Sequence, residues 1–86
     1  MKKEIEIVVH DGENEYSCRV CRPDIATLSR VNKLGKTDEV LAAVELLKGC
    51  WVSGDECLKN DPYLLMAVVA KMGVLQEGVV AEIKNS

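Results

Sequence analysis

Glu4-Ile5-Glu6-Ile7-Val8-Val9, the polar stretch His10-Asp11-Gly12-Glu13-Asn14-Glu15, and then Tyr16-Ser17-Cys18-Arg19-Val20-Cys21 decide how this chain folds. Ile5, Ile7 and Val9 share one face of an extended segment, against Glu4, Glu6 and Val8 on the other. Beyond the polar stretch the period of two resumes, with Tyr16, Cys18 and Val20 against Ser17, Arg19 and Cys21. Such alternation marks half-buried strands, and the Asp-Gly step between them marks a hairpin. A four-residue loop, Asp11 to Asn14, pairs Val9 with Tyr16, Ile7 with Cys18 and Ile5 with Val20. One face is then apolar throughout, and Glu6 opposes Arg19 and His10 opposes Glu15 on the wet face. A two-residue Asp11-Gly12 turn would set Asn14 against Val9 instead. Two strands are marginal in water, so other elements must cover the apolar face.

Those elements read as helices. Pro23-Asp24 opens the first, with Ile25, Leu28, Val31 and Leu34 facing inward and Gly35 ending it. Thr37 caps the next, with Asp38 and Glu39 behind it and Val40, Leu41, Val44 and Leu47 forming its apolar stripe. Gly49 stops that helix, and Cys50-Trp51-Val52 crosses the core without a recognisable period. Ser53-Gly54-Asp55-Glu56 fits a capping box for a short helix through Leu58. Asp61-Pro62 caps the longest helix, with Leu64, Leu65, Val68, Val69 and Met72 inside. Gly73 and Gly78 interrupt the last segment, and Val79, Val80 and Ile83 recur at helical spacing from about Gln76. The expected fold is therefore α+β, one domain over residues 1–86, with an N-terminal antiparallel β-hairpin (1–22) packed on a bundle of three to five short α-helices (23–86).

Composition excludes several functions. The 86 residues are 48% hydrophobic and only 3% aromatic, with no Phe, so the core is aliphatic and base-stacking platforms are disfavoured. The net charge is −3 and both signs are spread evenly, leaving no basic stripe for a nucleic-acid backbone. The N-terminus is charged and lacks the apolar core of a secretory signal, and the longest apolar run, Leu64 to Ala70, is too short for a membrane span. A cytoplasmic protein with reduced thiols is expected.

No constellation points to an enzyme. Cys18 and Cys21 are three residues apart on one strand and so face opposite sides, and six residues separate Cys50 from Cys57 where a tight zinc pair has about two to four. A Cys-based metal site is the remote alternative to small buried hydrophobes, and no cofactor is expected. His10 sits at a hairpin tip beside Glu15, and Asp38/Glu39 and Asp55/Glu56 sit at helix starts, where capping explains them. Gly73 to Gly78 lacks the strand before it and the Lys after it that a phosphate loop requires. What remains is surface. A domain of this size leaves apolar area uncovered, expected near Trp51 and along Leu64, Val68 and Met72, for a partner or a second copy. Trp51 either plugs the core or anchors a partner.

The layout resembles the small tail assembly chaperones of long-tailed bacteriophages and prophages. The features that carry the resemblance are the strand pair ending in Tyr16-Ser17-Cys18-Arg19-Val20-Cys21-Arg22-Pro23, the helix that Pro opens, and Ala42-Ala43-Val44-Glu45-Leu46-Leu47 leading into Cys50-Trp51-Val52. The Gly54-Asp55 turn and Asp61-Pro62 complete the pattern. The resemblance implies a non-enzymatic protein of the bacterial host cytoplasm that binds tape-measure and tail-tube proteins. It also implies a longer product made by a backward ribosomal frameshift, for which codons of Ile83-Lys84-Asn85 would supply the slippery run. The alternative is a small oligomeric interaction module of a mobile element, a head–tail or regulatory protein.

The cysteine reading is tested by substitution. Cys18→Ser is expected to destabilise by about 1–3 kcal/mol by burying a hydroxyl, whereas Cys21→Ser costs little. Neither zinc nor a chelator should move the thermal melting curve; loss of helix on chelation would restore the metal site.

Overall fold

The computed structural model describes residues 3–84. Its elements are β1 (Glu4–Asp11), β2 (Asn14–Cys21), α1 (Ile25–Gly35), α2 (Glu39–Cys50), β3 (Trp51–Gly54), α3 (Cys57–Asn60) and α4 (Pro62–Lys71), followed by a 3-10 helix, Met72–Gln76. The fold is α+β, an N-terminal hairpin extended to a three-stranded antiparallel sheet of order β1-β2-β3 and packed on four helices. Asn85, part of the slippery-codon run, lies outside the described residues. No described helix is long and apolar enough to cross a membrane.

The hairpin has the register its alternation dictates: Ile5 opposite Val20, Ile7 opposite Cys18, Val9 opposite Tyr16 and His10 opposite Glu15. The turn is tighter than the expected four-residue loop. Asp11 pairs with Asn14, leaving only Gly12-Glu13 between the strands. Gly12 has φ +62°, and among the described residues no non-glycine residue has positive φ. That combination is a type II′ turn, whose twist matches that of the strands. On the wet face Arg19 reaches past Glu6 to Glu4, 3.4 Å away, in a diagonal pair.

β3 was not legible as a strand, because four residues are too few to show a period. It runs antiparallel to β2, with a bulge between Arg19 and Val20. Gly54 makes this possible: its φ is +138°, and a Cβ there would lie 2.5 Å from Cys18 Cα and from the Ser17 carbonyl oxygen. Asp55 then completes the ladder. The Ser17 amide donates to Asp55 Oδ2 at 2.9 Å, and the Asp55 amide donates to the Ser17 carbonyl at 2.9 Å. The expected capping box does not form, since Ser53 belongs to β3 and Glu56, the N-cap of α3, makes no side-chain cap bond.

Three aspartates start the longer helices. Asp24 accepts from the Thr27 amide, Asp38 from Val40 and Leu41, and Asp61 from Tyr63 and Leu64. Asp38 therefore replaces Thr37 as the cap; the Thr37 hydroxyl donates backwards to the Leu34 carbonyl. Gly49 does not stop α2, which continues to Cys50 and, at 12 residues, is longer than the 10-residue α4. No helix begins near Gln76; Val79, Val80 and Ile83 are exposed on a segment without regular structure.

The core joins Ile7, Val9, Cys18 and Val20 of the hairpin to Leu47, Leu58, Leu65 and Val68 of the helices. α1 contributes little to it. Ile25 is 86% exposed and Leu28 half exposed, so neither faces inward, and Thr27 is the buried residue of this helix. The cause is close approach: α1 packs on α2, and a Cβ on Gly49 would collide with the Thr27 side chain. Small residues set that crossing. On α2, Ala42, Ala43, Leu47 and Cys50 are buried, while Val40 and Leu41, expected in the inward stripe, are exposed.

Two glycines separate turn conformation from packing. Gly12→Ala, with open space around it, is expected to cost about 1 kcal/mol from its positive φ alone. Gly54→Ala adds a backbone collision and should cost about 3 kcal/mol or more. Equal losses in urea unfolding would contradict the β3 geometry.

Candidate functional site

The side chains expected to form an interaction surface divide between core and rim. Leu64, Val68 and Met72 are buried, so the expected stripe on α4 is its core face and offers nothing to a partner. Burial follows from helical geometry: positions 64, 65, 68 and 72 line one side of α4, the side that covers the hairpin. The open side carries Tyr63 and Met66. Trp51 is half-buried against the core, and Lys59 Nζ lies 4.6 Å from the centre of its ring. Lys59 is itself held by Glu56 at 2.7 Å. Trp51 is thus a core-edge residue with one ring face already occupied.

Apolar surface is concentrated elsewhere, where α1 stands away from α4. The radius of gyration, 14.5 Å, exceeds the roughly 12 Å of a compact chain of this length. One groove of about 560 Å³ is walled by Leu28 and Val31 of α1, Leu46 of α2, Val69 of α4 and Val79 beyond the 3-10 helix. A second, of about 510 Å³, shares Val31, Leu46 and Val69 and continues past Met66 to the α1–α2 turn. Arg30 of α1 and Glu45 of α2 form an ion pair at 3.8 Å, and neither lines either groove. Sequence periodicity missed these features because they require α1 and α4 to be placed relative to each other.

Two cations from the ends of the hairpin fix the lower end of the groove. Arg22 Nε donates to the Leu75 carbonyl at 2.6 Å, and Lys3 Nζ donates to the carbonyls of Val74 at 3.1 Å and Glu77 at 3.3 Å. These oxygens lie at the end of the 3-10 helix, where cations are favoured; the Val74 carbonyl also accepts from the capping Glu77 amide at 3.1 Å. No local signal in the sequence links residues 3 and 22 to 74–77.

Two of the four cysteines are held as neutral thiols by the core. Cys18 and Cys50 are buried, whereas Cys21 and Cys57 are half-buried free thiols. Burial pushes the Cys18 thiol up, with the Asp55 carboxylate adding to it. Burial first, then Cys21 and Asp24, pushes Cys50 up to about 11. Thiols held neutral in this way are poor nucleophiles and poor metal ligands. His10 is exposed, 3.7 Å from Glu15, on the sheet face opposite Cys18. Among the described residues no group of three or more His, Cys, Asp or Glu is placed to hold a metal ion.

No family model, no characterised protein and no solved structure matches this chain.

The buried thiols set an alkaline limit. A group whose pKa is raised on folding stabilises below its ordinary value and loses that contribution as pH climbs through the folded value. For Cys50 the window runs from 9.0 to about 11. Urea midpoints should fall across it, and Cys50→Ala should flatten the fall; a midpoint independent of pH there would show Cys50 to be accessible.

Proposed function

We propose that this protein is a non-enzymatic assembly chaperone or adaptor, of the phage tail assembly kind its layout resembles. Its clients are tape-measure and tail-tube proteins in the cytoplasm of a bacterial host, and it engages neither nucleic acid nor membrane. The observation that carries this reading is the pair of apolar grooves meeting at Val31, Leu46 and Val69. An amphipathic helix of a client lays its apolar face in such a groove, using anchors at helical spacing. Leu28 and Met66, each about half exposed, flank the seat. Aliphatic walls without aromatic anchors favour modest affinity, which suits a protein that must release its client. A second reading, a small oligomeric interaction module of a mobile element, draws on the unpaired edge of β1.

Co-expression with the long helical product of a neighbouring reading frame tests the proposal. Wild-type protein should keep that client soluble and co-purify with it. Leu28→Asp and Val31→Asp should weaken binding at least tenfold with unchanged circular dichroism, and Trp51→Ala should weaken it far less. Groove variants that bind like the wild type would overturn the groove as the client site, and the lack of any such neighbour would favour the second reading.

A further inference from the structure

β1 is an edge strand of eight residues whose outer side no other strand among the described residues covers. The type II′ turn fixes which backbone groups point outward. Asp11 and Asn14 form the hydrogen-bonded pair next to a two-residue turn. By the alternation of an antiparallel ladder, Val9, Ile7 and Ile5 then exchange hydrogen bonds with β2, and Glu4, Glu6, Val8 and His10 present theirs outward. The Ser17–Asp55 bonds agree with this phase, since they place Ser17, on β2, toward β3. Beside the free edge runs a groove of about 530 Å³, walled on the helix side by Lys71 and Val74.

We infer that this edge pairs with β1 of a second copy of the chain, giving a continuous six-stranded sheet. The argument is register. An isologous edge contact is antiparallel about a two-fold axis, and outward groups must meet outward groups. Centring the pair on Ile7 sets Glu4 opposite the partner's His10 and Glu6 opposite the partner's Val8. On the apolar face it sets Ile5 opposite the partner's Val9 and Ile7 opposite itself. One position beyond the strand, Lys3, whose ammonium is held by the Val74 and Glu77 carbonyls, falls opposite the partner's Asp11 and sets no like charge against it. Every charge on the strand thereby avoids a like charge. Centring on Glu6 brings the two Glu6 carboxylates together across the axis, which is destabilising. Centring on Val8 places Asp11 against Ile5 on the apolar face. One register is self-complementary, and the neighbouring ones are penalised.

The joint also has a cover. Opposed residues of an antiparallel pair point to the same face, so both copies of α4 lie on one side of the joined sheet. Val74, 40% exposed, and the stem of Lys71 then close over the paired Ile7 side chains. On the other face Glu6, which has no partner among the described residues, lies beside Val8, 46% exposed. The groove between α1 and α4 is untouched, so the pairing does not depend on the client reading.

Sedimentation equilibrium with amide hydrogen exchange by NMR decides the matter. Wild-type protein should approach twice the monomer mass as concentration rises, and the Glu6 and Val8 amides should become protected in parallel. Val8→Asp, which opposes the partner's Glu6, should weaken the dimer at least tenfold, and Val8→Lys should tighten it. Simple loss of apolar surface would weaken both. Val8→Pro, which removes only an outward donor, should leave a folded monomer. A strict monomer at millimolar concentration, or a dimer whose Glu6 and Val8 amides still exchange freely, would overturn the proposal.

Discussion

The rest of the structure depends on covering one face of a two-stranded hairpin. Ile7, Val9, Cys18 and Val20 present an apolar strip that two strands cannot shield by themselves, and water penalises its exposure by roughly 25 cal/mol per Å². α4 covers it with Leu64, Leu65 and Val68, and Leu47 and Leu58 fill the remainder. Once α4 is fixed there, β3 can pair with β2 only if Gly54 passes against the Cys18 backbone, and Lys3 and Arg22 come within reach of the carbonyls that end the 3-10 helix.

That demand also explains what is left over. α2 and α4 are committed to the hairpin, whereas α1 touches the core only through α2, at a crossing of Thr27 on Gly49. A crossing built from small residues brings backbones close but buries few large side chains. Leu28, Val31 and Met66 therefore border open grooves rather than a core. The sheet shows the same economy at its edge: β3 covers the far side of β2, and β1 has α4 on one face but no described strand along its outer edge. What the hairpin's demand leaves uncovered among the described residues is therefore the pair of apolar grooves beside α1 and the outer edge of β1.

The thiols illustrate how environment overrides residue type. Four cysteines in 86 residues invite a metal or redox reading, yet two are sealed within the core and held neutral by burial. Cys18 and Cys50 serve as compact apolar side chains where Gly54 and α2 leave little space. Conversely, the acidic residues that resembled helix caps have divided roles. Asp38 does cap α2, but Asp55 closes the sheet.

By itself the sequence determined the elements whose signals are local. Alternation over residues 4–21 set both strands and their pairing, because a shift of one residue would have turned Ile7 and Val9 to water. Asp24 and Asp61 marked helix starts through bonds to amides two or three residues on. The α4 side carrying Leu64, Leu65 and Val68 was legible as a helical stripe, although its role as core rather than contact surface was not. Only the tertiary structure decided β3, too short to show a period; the packing of α1, governed by a glycine on another helix; and the joining of residues 3 and 22 to the end of the 3-10 helix. Each depends on groups far apart in the chain, and the grooves and the free edge of β1 exist only once those groups are assembled.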